Sequence, residues 1–332
     1  MLEKKYLVLA LFALLALSGC ATEFSLSEYR QDVALQAAAR LPTEQDLNNQ
    51  GRAKVVVFDT DDNNLIKARK AQAATTLTAK IEELLGANGA EVIDRSIATQ
   101  LGQELQLAEV KGVAGYEGPA LANFAVKPTI TLAEYGAEFV PASSFTDKKG
   151  KTYTIPASYN HRAAVNISLR VYEIPSLHPL KILNGRGNST QSTQDRGSYD
   201  LASNLIRNAS QAALNDVRNE FLSLFAPKGY VLARRDNAGK SIFRISIGRD
   251  HGIVAGNQVE IFTEQENTNP ITMKVSYDRI PVVNGYVTPI VTANEAWIIA
   301  DDDKKAKNVR LGDRVEVIHK NKGWASMFRF SQ

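Results

Sequence analysis

Lys54-Val55-Val56-Val57-Phe58-Asp59-Thr60-Asp61 decides how this chain is read. Three consecutive valines and a phenylalanine make a short, mostly β-branched apolar run, the pattern of a buried strand. A polar loop, Asp59 to Asn64, then feeds a helix expected over about Leu65 to Leu85. In that stretch Ala71, Ala74, Leu77 (or Thr78), Ile81 and Leu84-Leu85 recur at three- and four-residue steps and form one apolar face. Gly86 and Gly89 end it, and Glu91-Val92-Ile93-Asp94 reads as a second strand. Ser96 is placed to cap a second helix, roughly Ile97 to Val110, before a loop at Gly112 to Gly118.

Further along, Phe124 to Tyr135 and Ala163 to Glu173 read as strands. In the second, Val165, Ile167, Leu169 and Val171 alternate with polar neighbours. Leu180 to Leu183 continues the sheet, a Gly/Ser/Thr/Gln-rich loop follows, and a long helix is expected from Tyr199 to Phe225. Leu205, Ala209, Ala212-Ala213, Val217 and Phe221 would face the sheet. Beyond the Ala238-Gly239 turn every element reads as strand: Ile242 to Ile247, Tyr286 to Ala293 and Ala296 to Ala300. Two segments there echo each other, Gly256-Asn257-Gln258-Val259-Glu260-Ile261 and Gly312-Asp313-Arg314-Val315-Glu316-Val317. A glycine-polar turn feeding an alternating strand suits the corners of a small barrel. The expected fold class is therefore α+β: an α/β sandwich domain over residues 51–230, then a small all-β, barrel-like domain over 238–332, read as a β-barrel or sandwich.

The N-terminus sets the address. Lys4 and Lys5 precede an apolar run from Leu7 to Leu17, too short for a comfortable bilayer span and suited to a secretory signal. Leu17-Ser18-Gly19-Cys20 resembles a bacterial lipobox, so residues 1–19 are expected to be a signal peptide and Cys20 the lipid attachment site. By the rule of that family, Ala21 after the cysteine directs the protein to the outer membrane, lipid-anchored on its periplasmic face. Residues 20–50 would form a lipidated N-terminal segment, with a short helix from Ser27 to Arg40 and a linker from Thr43 to Gln50. Cys20 is the only cysteine. Once it is the anchor, no disulfide is available and stability rests on the core.

Composition narrows the partners. The chain has 332 residues, 44% of them hydrophobic, and a formal net charge of +3. Loss of residues 1–19 removes Lys4, Lys5 and Glu3 and leaves the charge closer to neutral. A nucleic-acid partner would want a concentrated basic stripe, so none is expected.

Motifs for chemistry do not assemble. Val57-Phe58-Asp59-Thr60-Asp61 resembles the first motif of haloacid-dehalogenase-type phosphatases, with Asp301-Asp302-Asp303 as a distant magnesium-binding counterpart. That family wants glycine or threonine soon after the second aspartate, where Asp62-Asn63 stand. Carboxylates at a helix N-terminus explain Asp59 to Asp62 without chemistry. Gly150-Lys151-Thr152 ends like a phosphate loop but lacks its earlier glycine. His161, His178, His251 and His319 show no metal-ligand spacing and read as isolated turn or strand residues. No catalytic residue, metal or cofactor is expected, and the protein is read as a non-enzyme.

The first domain resembles the curli-secretion lipoprotein family, CsgG. The resemblance rests on Val55-Val56-Val57-Phe58-Asp59-Thr60-Asp61, the alanine-rich helix, Gly89-Ala90-Glu91-Val92-Ile93-Asp94-Arg95, and a helix bearing Leu101 and Leu105. Ala163-Ala164-Val165-Asn166-Ile167-Ser168-Leu169-Arg170-Val171-Tyr172 is similar to its central strand. The family shares its fold with the N-terminal domain of TolB, the middle domain of the flagellar H-ring protein FlgT and the activator LpoB. The paired Gly-[Asn/Asp]-x-Val-Glu turns look like the C-terminal domain of FlgT. The resemblance implies ring assembly, scaffolding or partner regulation among envelope proteins, as in a flagellar basal structure or surface export apparatus.

Two other readings accompany it: a monomeric regulator of a periplasmic enzyme, and a CsgG-type secretion pore. A pore needs two spanning hairpins, each with strands of about 9–11 alternating residues. Thr131 to Tyr159 is interrupted by Pro141 and Pro156, and Gly185 to Tyr199 is too short for a second hairpin. Phe139 to Tyr159 is accordingly read as an exposed partner-binding hairpin presenting Phe139, Phe145, Tyr153 and Tyr159.

Replacing Cys20 with serine is expected to move the protein from the membrane fraction to the soluble fraction. Unchanged partitioning would refute lipidation at this residue.

Overall fold

The computed structural model describes residues 24–48, 50, 52–93, 102, 122–174 and 176–319. The lipobox with Cys20, the helix expected over Ile97–Val110 apart from Gly102, and the loop at Gly112–Gly118 lie outside the described residues.

The valine run becomes strand β2 of a five-stranded sheet. In chain order the first half holds β1 (Gln31–Val33), α1 (Glu44–Asn48), β2 (Lys54–Val57), α2 (Ile66–Lys70), α3 (Ala73–Ala87) and β3 (Glu91–Ile93). Then come β4 (Phe124–Val140), β5 (Ser143–Thr146), β6 (Thr152–Ile155), β7 (Ser158–Glu173), β8 (Pro179–Thr193) and α4 (Tyr199–Ser223). The sheet runs β3-β2-β4-β7-β8, with β2 parallel to β3 and β4 and the remaining pairs antiparallel. Val55 and Val57 face a core that includes Leu77, Ile81 and Leu85 of α3 and Leu205, Ala209 and Phe221 of α4. The single helix expected from Leu65 is broken in two, because Gln72 takes a left-handed turn (φ +51°) between α2 and α3.

α4 lies unusually close to β8. A Cβ on Gly185 would sit 2.1 Å from the Ala213 carbonyl oxygen, and one on Gly187 would sit 2.0 Å from that of Ala209. Bare glycine backbone on the strand and alanines on the helix thus let two main chains touch. Ser198 caps the helix start, its Oγ accepting from the Leu201 N–H at 3.2 Å.

The second half holds β9 (Lys228–Asn237), β10 (Lys240–Ile245), β11 (Gln258–Thr268), β12 (Val275–Val291), β13 (Ala296–Ala300), α5 (Asp303–Ala306) and β14 (Arg314–Val317). All pair antiparallel in the order β9-β10-β13-β12-β11-β14, and β14 pairs back onto β9 to close a six-stranded barrel. Its interior is filled by Val231, Phe243, Ile245, Val259, Ile261, Val287, Ile298 and Val315. The two echoing segments become adjacent strands, with Glu260 directly opposite Glu316. Arg279 on β12 donates to both carboxylates, which keeps the facing pair from repelling.

The expected α/β sandwich is overturned. Strand accounts for 46% of the structure against 22% helix, and a closed β-barrel is a principal unit. Two local causes are visible. β4, β7 and β8 run 17, 16 and 15 residues, longer than the segments expected from apolar alternation alone. In addition, Ser27 to Arg40 is not a helix. A 3₁₀ turn at Leu26–Glu28 leads into β1, which pairs with residues 234–236 of β9, on the edge that β14 leaves free higher up. Ala37 then bridges Leu311. The barrel offers unpaired ladder groups, an ion pair from Asp32 to Arg235 at 2.8 Å, and cover for Leu35. Those gains outweigh a modest local helix preference.

The two halves meet where Gly89 packs on Gly252, too closely for a Cβ on either. The Arg52 guanidinium donates to the carbonyls of Asp250 (2.7 Å) and Arg249 (3.1 Å). Within this turn the Gly248 N–H donates to His251 Nδ1 at 3.1 Å, so that nitrogen must be unprotonated. Burial, offset by Asp250 and reinforced by Arg52, holds the imidazole below its ordinary pKa.

Gly187→Val is expected to destabilise the protein by about 1–3 kcal/mol in denaturant titration, by forcing α4 off β8. Gly136→Ala, where nothing lies within 4 Å of the new Cβ, serves as the neutral control. For His251 the folded state favours the neutral ring. The stability this contributes is therefore complete above about pH 6.5 and lost as pH falls toward the lower folded-state pKa. Melting curves between pH 7 and 5 should show a steeper loss for the natural protein than for His251→Asn, and parallel slopes would contradict the assignment.

Candidate functional site, two projecting hairpins

The β4–β7 ladder continues past the core to the pair Val140–Ser158. Pro141 and Pro156 then interrupt it, as neither can donate to a ladder. A short two-stranded tip, β5–β6, resumes beyond them. Its turn is held by Asp147, whose carboxylate accepts from the N–H groups of Lys149 (2.9 Å) and Lys151 (3.0 Å). Gly150-Lys151-Thr152 is therefore part of a hairpin turn.

The sequence-predicted residues fall into two pairs. Phe139 and Tyr159 are cross-strand partners with ring centroids 5.1 Å apart. Phe145 and Tyr153 are cross-strand partners at the tip, stacked at 5.2 Å. Phe139 and Phe145 are 54% and 55% exposed, and Ile155 is also open to solvent, so among the described residues the hairpin presents apolar surface. Tyr153 and Ile155 lie on the separate β5–β6 piece, beyond Pro156 from Tyr159.

The lower pair is wired into the core by a residue that the sequence presents as an isolated turn or strand histidine. His161 is fully buried, with Tyr135 Oη at 2.8 Å from Nδ1 and Thr193 Oγ1 at 2.8 Å from Nε2. Its ring stacks with Tyr135 (6.1 Å) and lies tilted against Tyr159 (6.3 Å). Tyr135, His161, Tyr159 and Phe139 thus climb one face of β4–β7 from core to tip. The signal was present: His161 is in step with Ala163, Val165 and Ile167 on the inward-facing positions of its strand.

The second hairpin was not anticipated. β11 and β12 stay paired from Thr263–Ile280 out to Thr268–Val275, six pairs beyond the level where Phe262 also pairs with β14. At about 3.4 Å per residue this projects roughly 20 Å from the barrel rim. At its tip Ile271 is 90% and Met273 71% exposed, followed by exposed Val275 and Tyr277. Asn269 organises the turn, its Oδ1 accepting from the N–H groups of Ile271 (2.9 Å) and Thr272 (3.1 Å). Asn269-Pro270 is a turn signal that could have located it.

The acidic cluster has structural duties. The Asp61 and Asp62 carboxylates accept from the N–H groups of Asn63 and Asn64, and Asp62 pairs with Arg69 at 3.2 Å. Asp302 caps α5. Among the described residues, no group of three or more His, Cys, Asp or Glu side chains could hold a metal ion.

No family model matches the chain, and no curated protein matches it. Solved structures similar to parts of it include a neuraminyllactose-binding hemagglutinin homolog from Helicobacter pylori, at 12% identity and a TM-score of 0.30, covering 57% of this chain and 91% of that one. Another is the lipoprotein GNA1162 from Neisseria meningitidis, at 12% identity and 0.24, covering 50% and 99%. A third is PelC from Paraburkholderia phytofirmans, a dodecamer, at 14% identity and 0.20, covering 55% and 96%. Superpositions this loose carry no argument about fold or function, and none bears on the CsgG or FlgT families specifically.

Proposed function

We propose that this chain is a non-enzymatic lipoprotein, anchored through Cys20 to the periplasmic face of the outer membrane, that serves as an assembly component of a cell-envelope machine. A flagellar basal structure or a surface export apparatus is the kind of machine meant. The observation that carries the reading is the β4–β7 hairpin, with Phe139, Phe145 and Tyr153 exposed on a rigid aromatic spine. Exposed aromatics on a well-ordered support are what a protein-docking surface uses, since ordering them on binding costs little entropy.

A secretion pore fits less well. The stretch from Gly185 to Thr193 is spent as β8, paired to β7 inside the sheet. Only residues 194–198 then precede α4, so no second spanning hairpin can form there.

Sedimentation of the detergent-solubilised lipid-anchored chain, over a range of concentrations, is expected to show a multi-subunit species. The double substitution Phe145→Ser, Tyr153→Ser should weaken that assembly about tenfold or more while leaving the melting temperature nearly unchanged. A natural chain that stays monomeric at high concentration would overturn self-assembly and favour the monomeric regulator.

A further inference from the structure

We infer that the β11–β12 hairpin is a membrane-contacting element, whose tip residues Ile271 and Met273 enter the boundary between headgroups and acyl chains of the bilayer that holds the anchor. This inference rests on the proposal that Cys20 is lipidated.

Its first support is composition. From Asn267 to Tyr277 the tip reads Asn-Thr-Asn-Pro-Ile-Thr-Met-Lys-Val-Ser-Tyr, and Lys274 is the only charge. A lone lysine beside exposed aliphatic side chains can set its ammonium among lipid phosphates while its stem stays apolar. Tyr277, further down, suits the headgroup level, with an apolar ring and a polar end. The acidic residues of the hairpin, Glu264, Glu266 and Asp278, stand closer to the barrel than the tip does.

Rigidity is the second support. Asn269 accepts from Ile271 and Thr272 through its side chain and from the Met273 N–H through its carbonyl (2.8 Å), and its own N–H donates to the Lys274 carbonyl at 2.9 Å. Four such bonds hold the apolar side chains outward, where collapse onto the hairpin would otherwise hide them.

The third support is position. β1 enters antiparallel to β9, with Gln31 opposite Asp236, so the chain before it lies at the barrel end that carries the β9–β10 turn and α5. Tyr29 is buried there, within electrostatic range of Asp303, and Phe24 stacks on it at 5.7 Å. The strand registers place the β11–β12 projection at that same end. Phe24 follows Cys20 by four positions, a reach of at most about 14 Å. A lipid on Cys20 therefore holds this barrel end near the bilayer, within the span of a projection of roughly 20 Å.

The test uses the chain's single cysteine. With Cys20 acylated, Ile271→Cys introduces the only free thiol, which takes an environment-sensitive fluorophore. The labelled, lipid-anchored protein is reconstituted into phosphatidylethanolamine–phosphatidylglycerol vesicles, with and without doxyl-labelled lipid. Emission from position 271 is expected to shift to the blue on reconstitution and to fall about twofold with doxyl lipid. A label at Lys149→Cys, on the other hairpin, should show neither change. Vesicle-bound protein whose position 271 emits as in water would overturn the inference. So would a blue shift that needs no vesicles and grows with protein concentration, which would mark contact between copies of the chain. Failure of the anchor is read separately: the natural protein would then take up label at Cys20 and would not float with vesicles.

Discussion

Everything in the first half of the molecule depends on how near α4 comes to β8. Helix and strand main chains touch at Gly185 and Gly187 because neither glycine carries a Cβ and the helix opposes them with Ala209 and Ala213. That distance sets the plane of β8, β8 sets the register of β7, and β7 carries β4. The projecting hairpin inherits its direction from this stack. His161 transmits the constraint outward, tied to Tyr135 on β4 and to Thr193 at the end of β8. A glycine-to-alanine close approach at a helix–strand contact thus aims aromatic side chains well away from it.

Parts of this were legible in the sequence because their patterns are local. Val55 to Val57, the apolar face of α3, the alternation in β7 and the face of α4 all lie where period and composition put them. What escaped is decided at long range. β8 reads as a loop from Gly185 onward, since its inward positions are glycines and its outward ones polar, and it shows as a strand only beside α4. Ser27 to Arg40 resembles a helix until the open edge of β9 is available to it. β11 and β12 extend beyond any core, where no burial writes a pattern into the sequence. The same cause led the fold class toward helix: the helical stretches advertise themselves by periodicity, whereas long strands with solvent on both sides do not.

The candidate site divides the same way. Phe139, Phe145, Tyr153 and Tyr159 could be picked out as exposed aromatics near prolines, and they pair across the hairpin. Their support by His161 and the existence of a second apolar tip required the strands to be placed. The two hairpins also differ in kind. One shows stacked rings on a paired-strand support, the surface proposed to dock another protein. The other shows unbranched and branched aliphatic chains with one lysine, the surface inferred to meet lipid.

The short strand β1 has a mechanical meaning. A pull on the protein through its N-terminus enters at Phe24 and runs along β1, parallel to the strand axis. Three ladder positions with β9, the Asp32–Arg235 ion pair and the bridge at Ala37 lie in the path of that force. Loaded in shear, they share the tension, where a strand peeled sideways would lose them in succession. A lipid tether at Cys20, as proposed, would thus be stitched to the barrel wall, and force applied to it would reach the body of the protein through the barrel.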